Sequence, residues 1–215
     1  MQSLSYLLTG IVAYLIGSPP TGYLAGRLRG LDIRQHGSGN IGATNVFRVL
    51  GRKAGIIVLL LDALKGAAAV LLAPLLVVTV VPSSASSDSL AVVAALGGIL
   101  GHNYTCWLGF KGGKGIATSA GVLAALVPAA GAIVLSLWLV VFYLSRYVSL
   151  ASIAAASALP LATWATTSDR TRLGLTVVVG ALAVWKHRPN IQRLMKGTEN
   201  RFGKKKTEEK KAGAE

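Results

Sequence analysis

Charge is scarce in this chain, and acidic charge scarcest: eight Asp and Glu stand among 215 residues, of which 14% are charged and 53% hydrophobic. A soluble domain carries roughly 25% charged residues, so bulk water is not the main environment. Cysteine is almost absent. The single Cys106 excludes an intramolecular disulfide framework and leaves a cysteine-rich zinc site without its thiolates. The opening MQSLSYLLTG lacks a basic n-region and a small-residue cleavage site, so its apolar run is expected to stay as a helix rather than leave as a signal peptide. The formal charge of +14 does not point to nucleic acid, because ten of the 22 Lys and Arg lie from Lys186 onward, in a polar tail. No soluble basic domain remains once that tail is set aside.

Apolar runs of spanning length are plentiful. Candidate spans cover residues 4–28, 54–81, 90–108, 116–127, 132–144, 147–166 and 173–185, against the roughly 20 apolar residues that cross hydrocarbon. The fourth and fifth are short and flank Pro128-Ala129-Ala130-Gly131, so they also read as one kinked helix, which would give six spans. The distribution of base favours seven. Arg27, Arg29, Arg34, Arg48, Arg52 and Lys53 fall in the first loop, Lys111 and Lys114 in the third, Arg146 in the fifth, and Lys186 onward after the last span. All of these share one face, and only Arg170 and Arg172 fall on the other, as the positive-inside rule requires of a cytoplasmic side. The expected architecture is an all-α integral membrane domain over residues 1–202, with about seven transmembrane helices, an outside N-terminus and a cytoplasmic C-terminus. Residues 203–215 are expected to form a lysine-rich disordered tail lying on an anionic leaflet.

Four polar segments fall on the cytoplasmic face. The first, residues 37–48 (GSGNIGATNVFR), is poor helix and good anion nest: glycines let amides turn toward one point, Ser38 and Thr44 add hydroxyls, and Arg48 offers a planar fork. A solvent loop of turn-favouring residues is the plain alternative. The second runs from His102 to Gly115 and resembles a Walker loop, but Gly115 stands where that motif needs a hydroxyl after its lysine, which weakens an ATPase reading. What survives is a glycine-rich approach to a helix N-terminus, with Lys114 as a compact charge. Interfacial snorkelling would explain the lysines but not the paired glycines. The third places Ser149 and Ser152 on one helical face, which taken alone is ordinary helix packing. The fourth sets His187 and Asn190 around Pro189, just after the last span. In the second span, Asp62 and Lys65 at i, i+3 neutralise one another and read as packing that supports the first loop.

Side by side, these segments show that the chain resembles the bacterial acylphosphate:glycerol-3-phosphate acyltransferases, small integral-membrane enzymes of phosphatidate synthesis. The resemblance runs from the first span to Glu199 and is carried by GSGNIGATNVFR at 37–48, LLDALKG at 60–66, GFKGGKGIAT at 109–118 and HRPNIQRLMKGTE at 187–199. It implies transfer of an acyl group from acyl phosphate to the 1-hydroxyl of glycerol-3-phosphate, giving lysophosphatidate and inorganic phosphate. It also implies a bacterial inner-membrane monomer whose site faces the cytoplasm and needs no cofactor or metal. The substrate-binding roles it implies fall on Ser38, Asn40, Gly42, Thr44, Asn45 and Arg48, then on His102, Gly112, Gly113, Lys114 and Gly115, with Ser149 and Ser152 as a third set. His187 and Asn190 match the polar positions after the last helix, and with Arg48 and Lys114 they are the expected catalytic groups. The chain departs from the pattern in two places: Thr105 stands where many relatives have proline, and the lysine-rich stretch after Phe202 is an addition.

His102 is followed by no acidic residue until Asp169, so the local His-x4-Asp pair of other glycerophosphate acyltransferases is missing. An acyl phosphate is already activated, and positioning with charge stabilisation then suffices, the hydroxyl proton passing to a substrate phosphate. A small-anion transporter is the competing class, but it would gather its polar groups at mid-membrane, where only Asp62 and Lys65 stand. A purely structural membrane protein leaves the glycine loops unexplained.

Overall fold

The structure, a computed structural model, describes residues 2–81 and 85–203. All its regular elements there are helical. α1 (Gln2–Gly17) stops at Ser18-Pro19-Pro20, because proline lacks an N–H and turns its predecessor away from the helical region. The chain resumes as α2 (Thr21–Arg27), so the run expected as one span over 4–28 is two helices with a break. After a 3-10 turn at Ile33–Gln35 comes α3 (Ala43–Leu50). The second half of the first polar segment is therefore helix, not loop. α4 (Arg52–Val78) has 27 residues, about 40 Å at 1.5 Å per residue.

α5 (Ser87–Asn103) ends before the expected Leu108, and a 3-10 turn at Cys106–Leu108 follows. α6 (Ile116–Leu126) and α7 (Pro128–Ser145) are separate helices; Pro128 sits in the first turn of α7, where a missing N–H is harmless, and cannot continue α6. α8 (Val148–Thr166), α9 (Arg170–Lys186) and α10 (Arg188–Met195) complete the chain. By length and composition α4, α7 and α8 can each cross a membrane, whereas α6 is a shorter apolar helix. The expected tail lies, apart from Gly203, outside the described residues.

Large apolar side chains do not supply the tightest contacts. A Cβ on Gly17 would overlap the backbone of Gly98, and one on Gly121 the carbonyl of Ala63, so α1 meets α5 and α4 meets α6 backbone to backbone, as small residues allow in lipid. The leucines and isoleucines of α4 and α7 instead cover the outside, with Leu60 and Leu64 more than half exposed. At one end of the bundle Arg172 opens α9 and donates to Asp88 (2.8 Å) at the start of α5 and to the Leu126 carbonyl (3.2 Å) at the end of α6. At the other end lie the last turn of α5, the first turns of α4, α6 and α8, and the α9–α10 corner, and here the polar segments meet.

Candidate active site

Asn45, on the first turn of α3 and 1% exposed, holds the first segment together. Its amide donates to the carbonyls of Ile33 (3.2 Å), His36 (3.0 Å) and Asn40 (2.9 Å), and its oxygen accepts from the Ser38 N–H (2.8 Å). Asn40 in turn accepts from the Gly42 N–H (2.7 Å). Gly42 precedes α3 without a side-chain cap, so the next amides of that helix remain open to an anion. Ser38, Thr44 and Arg48 project from this frame into a shared cavity of about 350 Å³.

The second segment reaches the same cavity through Lys114 and Gly115. Gly115 takes φ +76°, a left-handed conformation that suits glycine, and it caps α6 with no side-chain bond. Ile116 and Ala117 at that helix start also line the cavity. Gly112 and Gly113 do not. Their N–H groups donate to the carbonyls of Asn103 (3.2 Å) and His102 (3.1 Å), and a Cβ on either would run into α5 or the His102 ring. The two glycines thus dock the loop on α5 and do not line the phosphate site expected of them.

On the far wall a carboxylate organises everything. Glu199 accepts from Ser149 (2.9 Å) and Asn190 (2.8 Å) through Oε1, and from Arg193 (2.7 Å) through Oε2. Asn190 uses its own oxygen to accept from Lys114, which closes a chain from α6 to the C-terminal segment. Ser152 lies deeper; its hydroxyl donates to Val148 O (2.8 Å) and accepts from Trp138 Nε1 (3.1 Å). His187 places Nδ1 2.7 Å from the Ala183 carbonyl. A carbonyl only accepts, so Nδ1 carries the proton and Nε2 is left with a lone pair.

Burial draws the Lys114 ammonium down to about 8, with Arg193, Lys186 and Arg48 pushing the same way against the pull of Glu199. Burial also lowers Arg48, which stays cationic as a guanidinium. His187, buried and facing Lys114, is held down to about 4 and is neutral at physiological pH. Burial alone would raise Glu199, but its hydrogen bonds from Asn190, Arg193 and Ser149 outweigh this and keep it ionised. Among the described residues no carboxylate lies within ion-pair distance of Arg48 or Lys114, so the cavity holds cationic charge in excess.

Of the residues expected at the site, Ser38, Asn40, Gly42, Thr44, Asn45, Arg48, His102, Lys114, Gly115, Ser149, Ser152, His187 and Asn190 all line this one cavity. Sequence reasoning missed the organising role of Glu199 and the place of Arg193. It also missed Asp62, which lines the cavity floor with its Oδ1 3.5 Å from His102 Nδ1 and is held by Thr21 (2.6 Å) and Lys65 (2.7 Å). The pairing of Asp62 with Lys65 was legible; the histidine on another helix was not.

Residues 7–197 match the glycerol-3-phosphate acyltransferase family model. A glycerol-3-phosphate acyltransferase of Geobacter sulfurreducens is 46% identical over 199 residues, covering 93% of this chain and 98% of the relative. The chain belongs to this family. A member from Fusobacterium nucleatum is 42% identical over 193 residues, with 89% and 95% of the two chains covered. Among solved structures the fold is similar to PlsY (YgiH), described as an integral membrane glycerol 3-phosphate acyltransferase, in its glycerol 3-phosphate form: TM-score 0.82, 41% identity, and 93% of this chain against 96% of that one. The lysophosphatidic acid form of the same enzyme aligns with a TM-score of 0.79. The protein is accordingly an all-helical integral membrane acyltransferase of this family.

Proposed function

We propose that the protein transfers an acyl group from acyl phosphate to the 1-hydroxyl of glycerol-3-phosphate, releasing lysophosphatidate and inorganic phosphate. Acyl transfer to glycerol-3-phosphate is the activity of the family; the acyl phosphate donor is our assignment. One observation carries it: Lys114, just before the glycine-capped start of α6, and Arg48, on the last turn of α3, face a single cavity with no carboxylate within ion-pair distance among the described residues, and α3 too starts after a glycine. Such a site suits two dianionic phosphates held side by side. Its other half is apolar, built by Ile56 and Leu59 of α4 and Trp138 and Phe142 of α7, as an acyl chain requires.

The chemistry follows from the groups present. The glycerol hydroxyl attacks the acyl carbon, the carbon–oxygen bond to phosphate breaks, and the hydroxyl proton ends on the departing phosphate, so charge and atoms balance. His187, too weak a base at about 4, accepts a hydrogen bond from the hydroxyl through Nε2 and orients it. Lys114 and Arg48 stabilise the charge that gathers on the leaving phosphate. Ser38, Thr44 and Ser149 supply hydroxyls; Asn40, Asn45 and Glu199 hold the donors in place.

Seven helices, α1, α4, α5, α6, α7, α8 and α9, run alternately between the Arg172 end and the cavity end, and together with the basic loops at the cavity end this supports an outside N-terminus and a cytoplasmic site in a bacterial inner membrane. Purified protein given synthetic acyl phosphate and glycerol-3-phosphate in EDTA is expected to release phosphate and lysophosphatidate one for one. Turnover with acyl-CoA but not acyl phosphate would overturn the donor. Uptake of labelled glycerol-3-phosphate into liposomes without any donor would favour transport.

The Lys114 ammonium also sets a pH dependence. Its cationic form predominates below about pH 8, so kcat/KM, which reports the free enzyme, is expected to fall as pH rises through that value. Lys114→Arg keeps the charge and should move this alkaline limb well above its wild-type position. A limb at the same pH in both proteins would mean that another group titrates.

A further inference from the structure

We infer that Phe202 is a specificity-determining residue that grips the acyl chain where it leaves the phosphate site; this rests on the acyl phosphate assignment above. Its ring lies between Phe47 of α3, at 5.1 Å between centroids, and Phe142 of α7, at 5.4 Å; Phe142 then stacks on Trp138 at 5.1 Å. Phe47 itself rests against Gly55 of α4, where a Cβ would displace it. Four aromatic rings thus form an unbroken row from α3 to α7, all four lining the cavity beside Ile56 and Leu59. Phe202 is the member that joins the two sides.

Its position is held from both ends. The Phe202 N–H donates to the Arg146 carbonyl (2.8 Å), Arg201 lies over the Tyr147 ring, and Glu199 is fixed by Ser149, Asn190 and Arg193. The same short stretch therefore carries the carboxylate that orders the polar half of the cavity and the ring that closes its apolar half. Phe47 and Arg48, both on α3, line the same cavity, so the row begins on the wall that carries a cation of the phosphate site, and the chain carbons next to the carboxyl are those that pass it.

The test compares Phe202→Ala and Phe202→Leu with the wild type, using palmitoyl phosphate and glycerol-3-phosphate, each varied at saturation of the other. Phe202→Ala is expected to raise KM for palmitoyl phosphate roughly four- to fifteenfold, the worth of one or two methylene groups losing apolar contact. kcat and KM for glycerol-3-phosphate should stay within twofold, and Phe202→Leu should restore most of the loss. An unchanged donor KM in Phe202→Ala overturns the role. So does a parallel rise in both KM values in Phe202→Ala and Phe202→Leu alike, which would show a loosened C-terminal segment acting through Glu199. A wild type that ignores palmitoyl phosphate altogether overturns the donor assignment, and this role with it.

Discussion

Lys114→Ala is expected to lower kcat by roughly 10²- to 10³-fold, the loss of about 3 kcal/mol seen when one donor is taken from a charge-stabilising site. The size follows from the surroundings. Lys114 is half-buried, stands immediately before the left-handed Gly115 and the open start of α6, and bonds Asn190. Charge stabilisation is strongest where water is excluded, and the neighbouring Lys186 is committed to the Asn103 carbonyl and the Tyr104 ring. The variant should still fold, because the loop is docked by the Gly112 and Gly113 amides and not by the lysine. Undiminished turnover of purified Lys114→Ala at saturating substrates would remove Lys114 from the mechanism.

Glu199→Ala is expected to cost about 3 kcal/mol of stability, because it strands Arg193, Asn190 and Ser149 around a carboxylate whose side chain is 7% exposed. Thermal unfolding in detergent measures this, and activity should fall at least tenfold as Asn190 and the Lys114 contact drift. Glu199→Gln separates geometry from charge: it keeps acceptor oxygen but removes a carboxylate that raises Lys114 toward its ordinary value. The ammonium then loses its proton at lower pH, and the alkaline limb of kcat/KM should shift to the acid side of the wild type. A Gln variant whose limb stays put would show that Glu199 acts through hydrogen bonds alone.

Much of the site was legible in the sequence because phosphate binding uses short, local devices. Glycine before a helix, hydroxyls beside it and a nearby cation occupy neighbouring positions, as at 37–48 and 112–116, and Ser38, Thr44, Arg48, Lys114 and Gly115 all reach the cavity. The helix count was harder. Pro19, Pro20 and Pro128 mark real breaks, yet an apolar run looks the same whether it continues as helix through residues 18–20 or stops there. Partners were harder still. Lys114 meets Asn190 across 76 positions and Ser149 meets Glu199 across 50, and no periodicity records such a distance. Gly112 and Gly113 misled for a related reason: an amide that binds an anion and one that binds α5 have the same sequence signature.

Composition alone fixed the environment, since a chain so poor in charge and so rich in apolar runs has nowhere but lipid to bury them. The order of basic loops set the expected side of the membrane, and four polar segments carried the family resemblance from which the chemistry was expected. Which amides stay open, which carboxylate ties the wall together, and that Asp62 stands 3.5 Å from His102 were decided only by packing. The reason is physical: a side chain's worth in a buried site depends on what remains unsatisfied once its neighbours have closed around it, and those neighbours arrive from helices far apart in the chain.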